Sequence, residues 1–170
     1  MPDAANATEL LEHLRSRYYG KYRGLVTEVD EATMRVKAKV PSLLGTQPTG
    51  WCSPCVPYAG SQVGIAFLPE AGAGVWIEFE AGDLSYPIWT GCYWHDGEVP
   101  PEAKANVKAI VTAGGHKVTF DGDTPNLVIT DSHGNKVTLD SSGILLERGS
   151  MKVAISDSKV DVNSGALEVA

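Results

Sequence analysis

Between Val40 and Lys104 the chain contains no lysine or arginine, while seven aspartates and glutamates fall in the same stretch. Positive charge is thus missing from the middle of a protein whose formal net charge is −7. A phosphate backbone would meet repulsion there instead of releasing counterions, which counts against nucleic acid as the main partner. Long apolar runs are missing too: none approaches the roughly 20 residues that cross a bilayer as a helix. Met1-Pro2-Asp3 lacks the basic and apolar regions of a signal peptide, so the expected place of synthesis is the cytoplasm. Cysteine is scarce. Three residues, an odd number, are too few for a disulfide framework and fit a reducing compartment. No Gly-x-Ser-x-Gly elbow, Walker loop or His-Glu-x-x-His segment is present, and Gly72-Ala73-Gly74 precedes a strand pattern, so it reads as a hairpin.

Helical periodicity is confined to residues 8–19, with Thr8 as N-cap and Leu10, Leu11 and Leu14 on one face. A helix that short is marginal in water unless it docks. Eighteen glycines and ten prolines indicate many turns, and the expected class is all-β.

From Tyr22 the period becomes two. Leu25 and Val29, a turn at Asp30-Glu31-Ala32-Thr33, and Met34, Val36, Ala38 and Val40 alternating with Arg35, Lys37 and Lys39 give a β-hairpin with one buried face. Further strands are expected near residues 62–68, 75–80 and 87–94. Five short strands in so few residues fit a small closed barrel of the OB type, because closure removes the edges they would otherwise expose.

Glu98-Val99-Pro100-Pro101 breaks the pattern. Beyond it, apolar residues recur in pairs spaced by one: Val118 and Phe120, Leu127 and Ile129, Val137 and Leu139, Ile144 and Leu146, Val153 and Ile155, Val160 and Val162, Leu167 and Val169. Glycine, aspartate, serine and asparagine fill the gaps, as in a repeat of short strands joined by tight turns. Two inward side chains per strand cannot offset the entropy of ordering that backbone in a single copy. A single-chain solenoid needs longer turns with more inward positions. Three copies wound about one axis would enclose every pair and leave no open edge, so the expected assembly is a C3 homotrimer with an intertwined β-helix. The expected division is an N-terminal arm at 1–20, a barrel at 21–97, a linker at 98–108 and a needle at 109–170, with those fourteen residues as the trimer core.

Five blocks also carry a family resemblance. Trp51-Cys52-Ser53-Pro54-Cys55-Val56-Pro57-Tyr58-Ala59-Gly60, Phe67-Leu68-Pro69-Glu70-Ala71-Gly72, Val75 to Asp83, Pro87-Ile88-Trp89-Thr90-Gly91 and Gly97 to Pro101 resemble, in order and spacing, the OB domain of phage baseplate assembly protein V. The same module occurs in the spike proteins of type VI secretion and of phage-tail-like injection systems. The resemblance implies a non-enzymatic trimeric spike at the centre of a baseplate, in a virion or phage-tail-like particle. Its barrels would sit on a hub protein, and its needle would be driven through a target membrane on sheath contraction. Some larger relatives insert a lysozyme domain where this chain has only the linker. Certain phage spikes end in a His-x-His iron site, whereas His116 and His133 each stand alone. By analogy, Leu167, Val169 and Ala170 would form a blunt apolar end for a separate PAAR-type tip protein.

Cys52-x-x-Cys55 with Cys92-x-x-His95 has the spacing of a structural zinc site. The family blocks place the two pairs on different loops, so thiols are the favoured reading and no cofactor is expected. Glu78 and Glu80 share a strand face, but a glycosidase needs two carboxylates facing each other across a bond. Trp51, Trp76, Trp89 and Trp94 read as barrel core or subunit contacts. The competing function is an OB-type module for a carbohydrate or oligonucleotide carried on a trimerisation stalk.

Overall fold

The structure, a computed structural model, describes residues 11, 12 and 14–169 and divides between Gly97 and Glu98 into two compact units. Of the expected helix, residues 11, 12, 14 and 15 are helical; Thr8 and Leu10 lie outside the described residues. The helix stops short of Tyr19 because a tertiary contact takes over. Tyr18 donates its N–H to the Gly82 carbonyl (2.8 Å), and Arg17 pairs with Asp83 (3.1 Å). The arm is thereby tied to the first unit at its C-terminal end.

The first unit contains β1 (Tyr22–Asp30), β2 (Arg35–Lys39), a short α1 (Pro41–Leu44), β3 (Ser53–Pro54), β4 (Ala59–Gly60), β5 (Val63–Gly64), β6 (Gly74–Phe79) and β7 (Pro87–Tyr93). Five strands form one sheet in the order β2-β1-β6-β7-β3, with β3 parallel to β7. An antiparallel bridge between Val36 and Cys52 returns from the β3 end to β2 and closes the ring. Cys52 N–H donates to the Val36 carbonyl, and Thr49 N–H to that of Ala38, both at 2.8 Å. Inside lie Val26, Val36, Ala38, Val40, Cys52, Val75, Ile77, Phe79 and Trp89. Asp30 makes the β1–β2 turn by accepting from the Ala32 N–H and the Thr33 hydroxyl. Those hydrogen bonds, the Thr33 hydroxyl first, hold its carboxyl below the usual range.

Two readings of this unit need correction. Leu25 and Val29 are exposed, and Val26 is the residue of β1 that enters the core. The pairing with β2 skips Thr27, and such a bulge re-aims the side chains on either side of it. The segment expected as a strand at 62–68 instead supplies half of a two-stranded hairpin, β4-β5, outside the barrel sheet.

The second unit is β8 (Val107–Val111), β9 (Lys117–Asp121), β10 (Asn126–Thr130), β11 (Asn135–Asp140), β12 (Gly143–Arg148), β13 (Met151–Ile155), β14 (Val160–Val162) and β15 (Leu167–Val169). All eight form one antiparallel sheet in sequence order. Aspartates shape several turns: Asp121, Asp131 and Asp140 each accept the backbone N–H two residues on. Among the described residues, every fully buried hydrophobic lies in the first unit and none in this sheet. Within one chain this unit is therefore a single-layer meander.

Candidate functional site

Register sets what this sheet can do. Across the strands, Phe120, Leu127, Leu139, Ile144, Ile155, Val160 and Val169 pair in succession. Beside them, Val118, Ile129, Val137, Leu146, Val153, Val162 and Leu167 form a second column. Partners two apart on each strand point the same way, so both columns share one face. Strand β8 extends the second column with Ile110, which the sequence pairs had missed because its companion in the first column is Lys108, not an aliphatic residue.

Nine side chains of these columns, from Leu139 at 36% to Val169 at 61%, remain exposed. An open groove of about 590 Å³ runs along the second column, lined by Ile129, Val137, Leu146, Val153 and Val162. The opposite face is mixed. It carries Thr119, Val128, Thr138, Leu145, Ala154 and Asp161 along its middle, with Thr138 buried, and the Lys136–Glu147 pair (3.4 Å) toward one side. One face is thus continuously apolar and the other is interrupted by threonine, aspartate and an ion pair, the pattern of a sheet that buries its more apolar side against something else. Of the expected end residues, Leu167 and Val169 lie on this face, while Ala170 is outside the described residues.

The turns are tied from within. Asp131 Oδ1 accepts from the N–H groups of His133 and Asn135, and Oδ2 from the Asn135 amide at 2.5 Å. These hydrogen bonds, the Asn135 amide first, lower its carboxyl from 3.8 to about 2. Glu102 lies below the ordinary range because it accepts a hydrogen bond from Lys117.

The possible zinc ligands are dispersed by role. Cys52 is in the barrel core, where its Sγ lies 3.2 Å from the Thr49 hydroxyl. Burial pushes that thiol up, the opposite of what a metal-ligating thiolate requires. Cys55 and Cys92 are exposed, and the His95 ring meets the edge of Tyr93. Among the described residues no group of three or more His, Cys, Asp or Glu side chains converges as a metal site would. Glu78 is paired with Lys21 at 2.7 Å, and Glu80 opens the short turn after β6.

The tryptophans divide. Trp89 is core and donates its indole N–H to the Met34 carbonyl (3.1 Å). Trp76 and Trp51 lie instead on the outer surface, beneath Arg23 (5.5 Å) and Lys37 (4.7 Å). Trp94 is 63% exposed.

Comparison with known families follows the same two-part division. Residues 22–94 match the type VI secretion system/phage-baseplate injector OB domain. Residues 107–168 match the phage baseplate V C-terminal trimerisation domain. No curated protein matches the chain. Both families are structural parts of baseplates and spikes, and a trimerisation domain supplies a reason for a sheet with no core of its own. The chain belongs to the phage baseplate V family of baseplate and spike proteins, with an OB domain followed by a trimerisation domain.

Proposed function

We propose that this chain is the homotrimeric central spike of a contractile injection system, a phage tail or phage-tail-like particle, and that its needle pierces the target membrane. One observation carries the reading: two aliphatic columns cross the needle sheet on a single uncovered face. Three copies turning that face to a common axis would bury the fourteen residues from Val118 to Val169 together with Ile110. Cyclic closure would leave the strands no free edges. The segments 1–20, 21–97, 98–108 and 109–170 then serve as arm, barrel, connector and needle.

A narrow rod of paired strands is stiff along its axis, so force from a contracting sheath reaches its end. Its work is mechanical rather than catalytic. The barrels would rest on a baseplate hub, and Leu167, Val169 and Ala170 would offer an apolar seat to a PAAR-type tip protein. The protein would be made in the cytoplasm and built into the particle at the baseplate centre.

Light scattering on the full chain tests the assembly, with an expected mass of three 18.1 kDa chains. A mass of one chain removes the basis for the needle. Tomography of contracted particles against membranes tests the piercing step: a rod crossing the bilayer is expected, and contraction with the rod stopped outside refutes it.

A further inference from the structure

Each barrel carries an apolar hairpin that its own fold leaves uncovered. From Val40 to Pro69, thirty consecutive residues include no Asp, Glu, Lys, Arg or His. Within that run β4 and β5 form their own small sheet, and Tyr58, Val63, Ile65 and Phe67 are 46–59% exposed. The hairpin is preformed: Ile65 N–H donates to the Tyr58 carbonyl (3.0 Å), and a β-carbon on Gly64 would come within 2.9 Å of that oxygen. A groove of about 600 Å³ is lined by Met34 beside the β1–β2 turn and by Val56, Val63 and Ile65.

We infer that in the trimer this hairpin packs against the barrel of a neighbouring copy of the same chain. The inference rests on the trimeric reading above. The segment 95–106, between the two matched domains, reaches about 40 Å at most when extended. Three barrels are thus held near joined trimerisation domains at effective concentrations on the order of millimolar, where a modest apolar contact is occupied. A hub protein arrives only on assembly; a sister barrel is present as soon as the trimer forms. Charge points the same way. Copies with a net charge of −7 repel one another in general, and the uncharged run is where they meet without that penalty. The groove lies between the hairpin and Ala32, Thr33 and Met34 of the β1–β2 turn, so the hairpin of one copy against the turn side of the next is a head-to-tail contact, which closes after three copies under C3 symmetry.

Carbene footprinting of the full chain tests this, on a sample whose mass by light scattering is three chains. Tyr58, Val63, Ile65 and Phe67 are expected to label several-fold less than Tyr86 and Trp94, which are 62% and 63% exposed. In Phe67→Asp the needle should keep the trimer together while Tyr58 labelling rises to the level of Tyr86. A three-chain particle whose hairpin labels as fully as Tyr86 overturns the inference and leaves the hairpin to a hub or other partner. A one-chain mass overturns the trimeric reading itself and this inference with it.

Discussion

A β-carbon placed on Gly143 would lie 1.9 Å from the carbonyl oxygen of Ile155, its neighbour across the β12–β13 pairing. No side-chain rotation relieves that contact, because the backbone fixes the position of the β-carbon and the oxygen belongs to the backbone itself. Gly143 also has φ +126°, which L side chains rarely adopt.

Gly143→Ala should therefore separate β12 from β13 and cost about 3 kcal/mol or more. Gly134→Ala is the matched control. It too has positive φ, +83°, but a β-carbon there meets nothing within 4 Å. Its cost should stay near 1 kcal/mol. Thermal unfolding of the two variants should rank them in that order, and equal melting temperatures would refute the close approach.

The two faces of the needle sheet should respond oppositely to charge. Val137→Asp or Ile155→Asp puts three carboxylates in the proposed dry core, and loss of SDS-resistant trimers is expected. Lys136→Asp, next to Val137 but on the other face, replaces the half-exposed pair with Glu147 by two facing carboxylates and should cost only about 1 kcal/mol. Trimers that survive Val137→Asp and fail in Lys136→Asp would invert the assignment of faces.

Much of the needle was legible because strand alternation alone puts Val137 and Leu139 on one face, whatever they pair with. Tight turns then made the register follow the chain order. Lys108 hid Ile110 by breaking the apolar pair at β8. In the barrel, alternation failed at Thr27, where a bulge puts Val26 on the core face together with Val29, which pairs with Val36, and leaves Leu25 opposite Lys39 on the outside. Composition could not tell the exposed hairpin around Val63 from a core strand, since a surface awaiting a partner and a buried strand are equally apolar. Cys52 and Cys55 have metal-site spacing in sequence, yet barrel closure takes one inward and leaves the other exposed.

Acid should loosen the needle turns in a defined window. The Asp131 carboxyl is lowered from 3.8 to about 2 in the folded chain. A depressed carboxylate contributes stability that is present above the unfolded value and lost as pH falls through the folded one. Needle stability should thus decline between about pH 4 and pH 2, and Asp131→Ala should flatten that part of the curve. Circular dichroism melts across the range would show it, and an unchanged slope in the variant would count against the turn.

Barrel closure should depend on Thr49. Its hydroxyl accepts from the Ala38 N–H (3.1 Å) and lies against Cys52 Sγ, at a site where Thr49, Ala38 and Cys52 are all buried. Thr49→Val keeps the shape and leaves that N–H without an acceptor, a loss of about 1–3 kcal/mol. The same closure decides which thiols react. In the native protein the exposed Cys55 should be alkylated first, Cys92 more slowly because burial and the nearby Glu70 push its thiol up, and Cys52 only after unfolding, because it is buried and its thiol is pushed up as well. Thr49→Val should speed alkylation of Cys52 and leave the other two unchanged. Labelling of Cys52 in the native protein as fast as that of Cys55 would mean that the Val36–Cys52 bridge does not hold the ring shut.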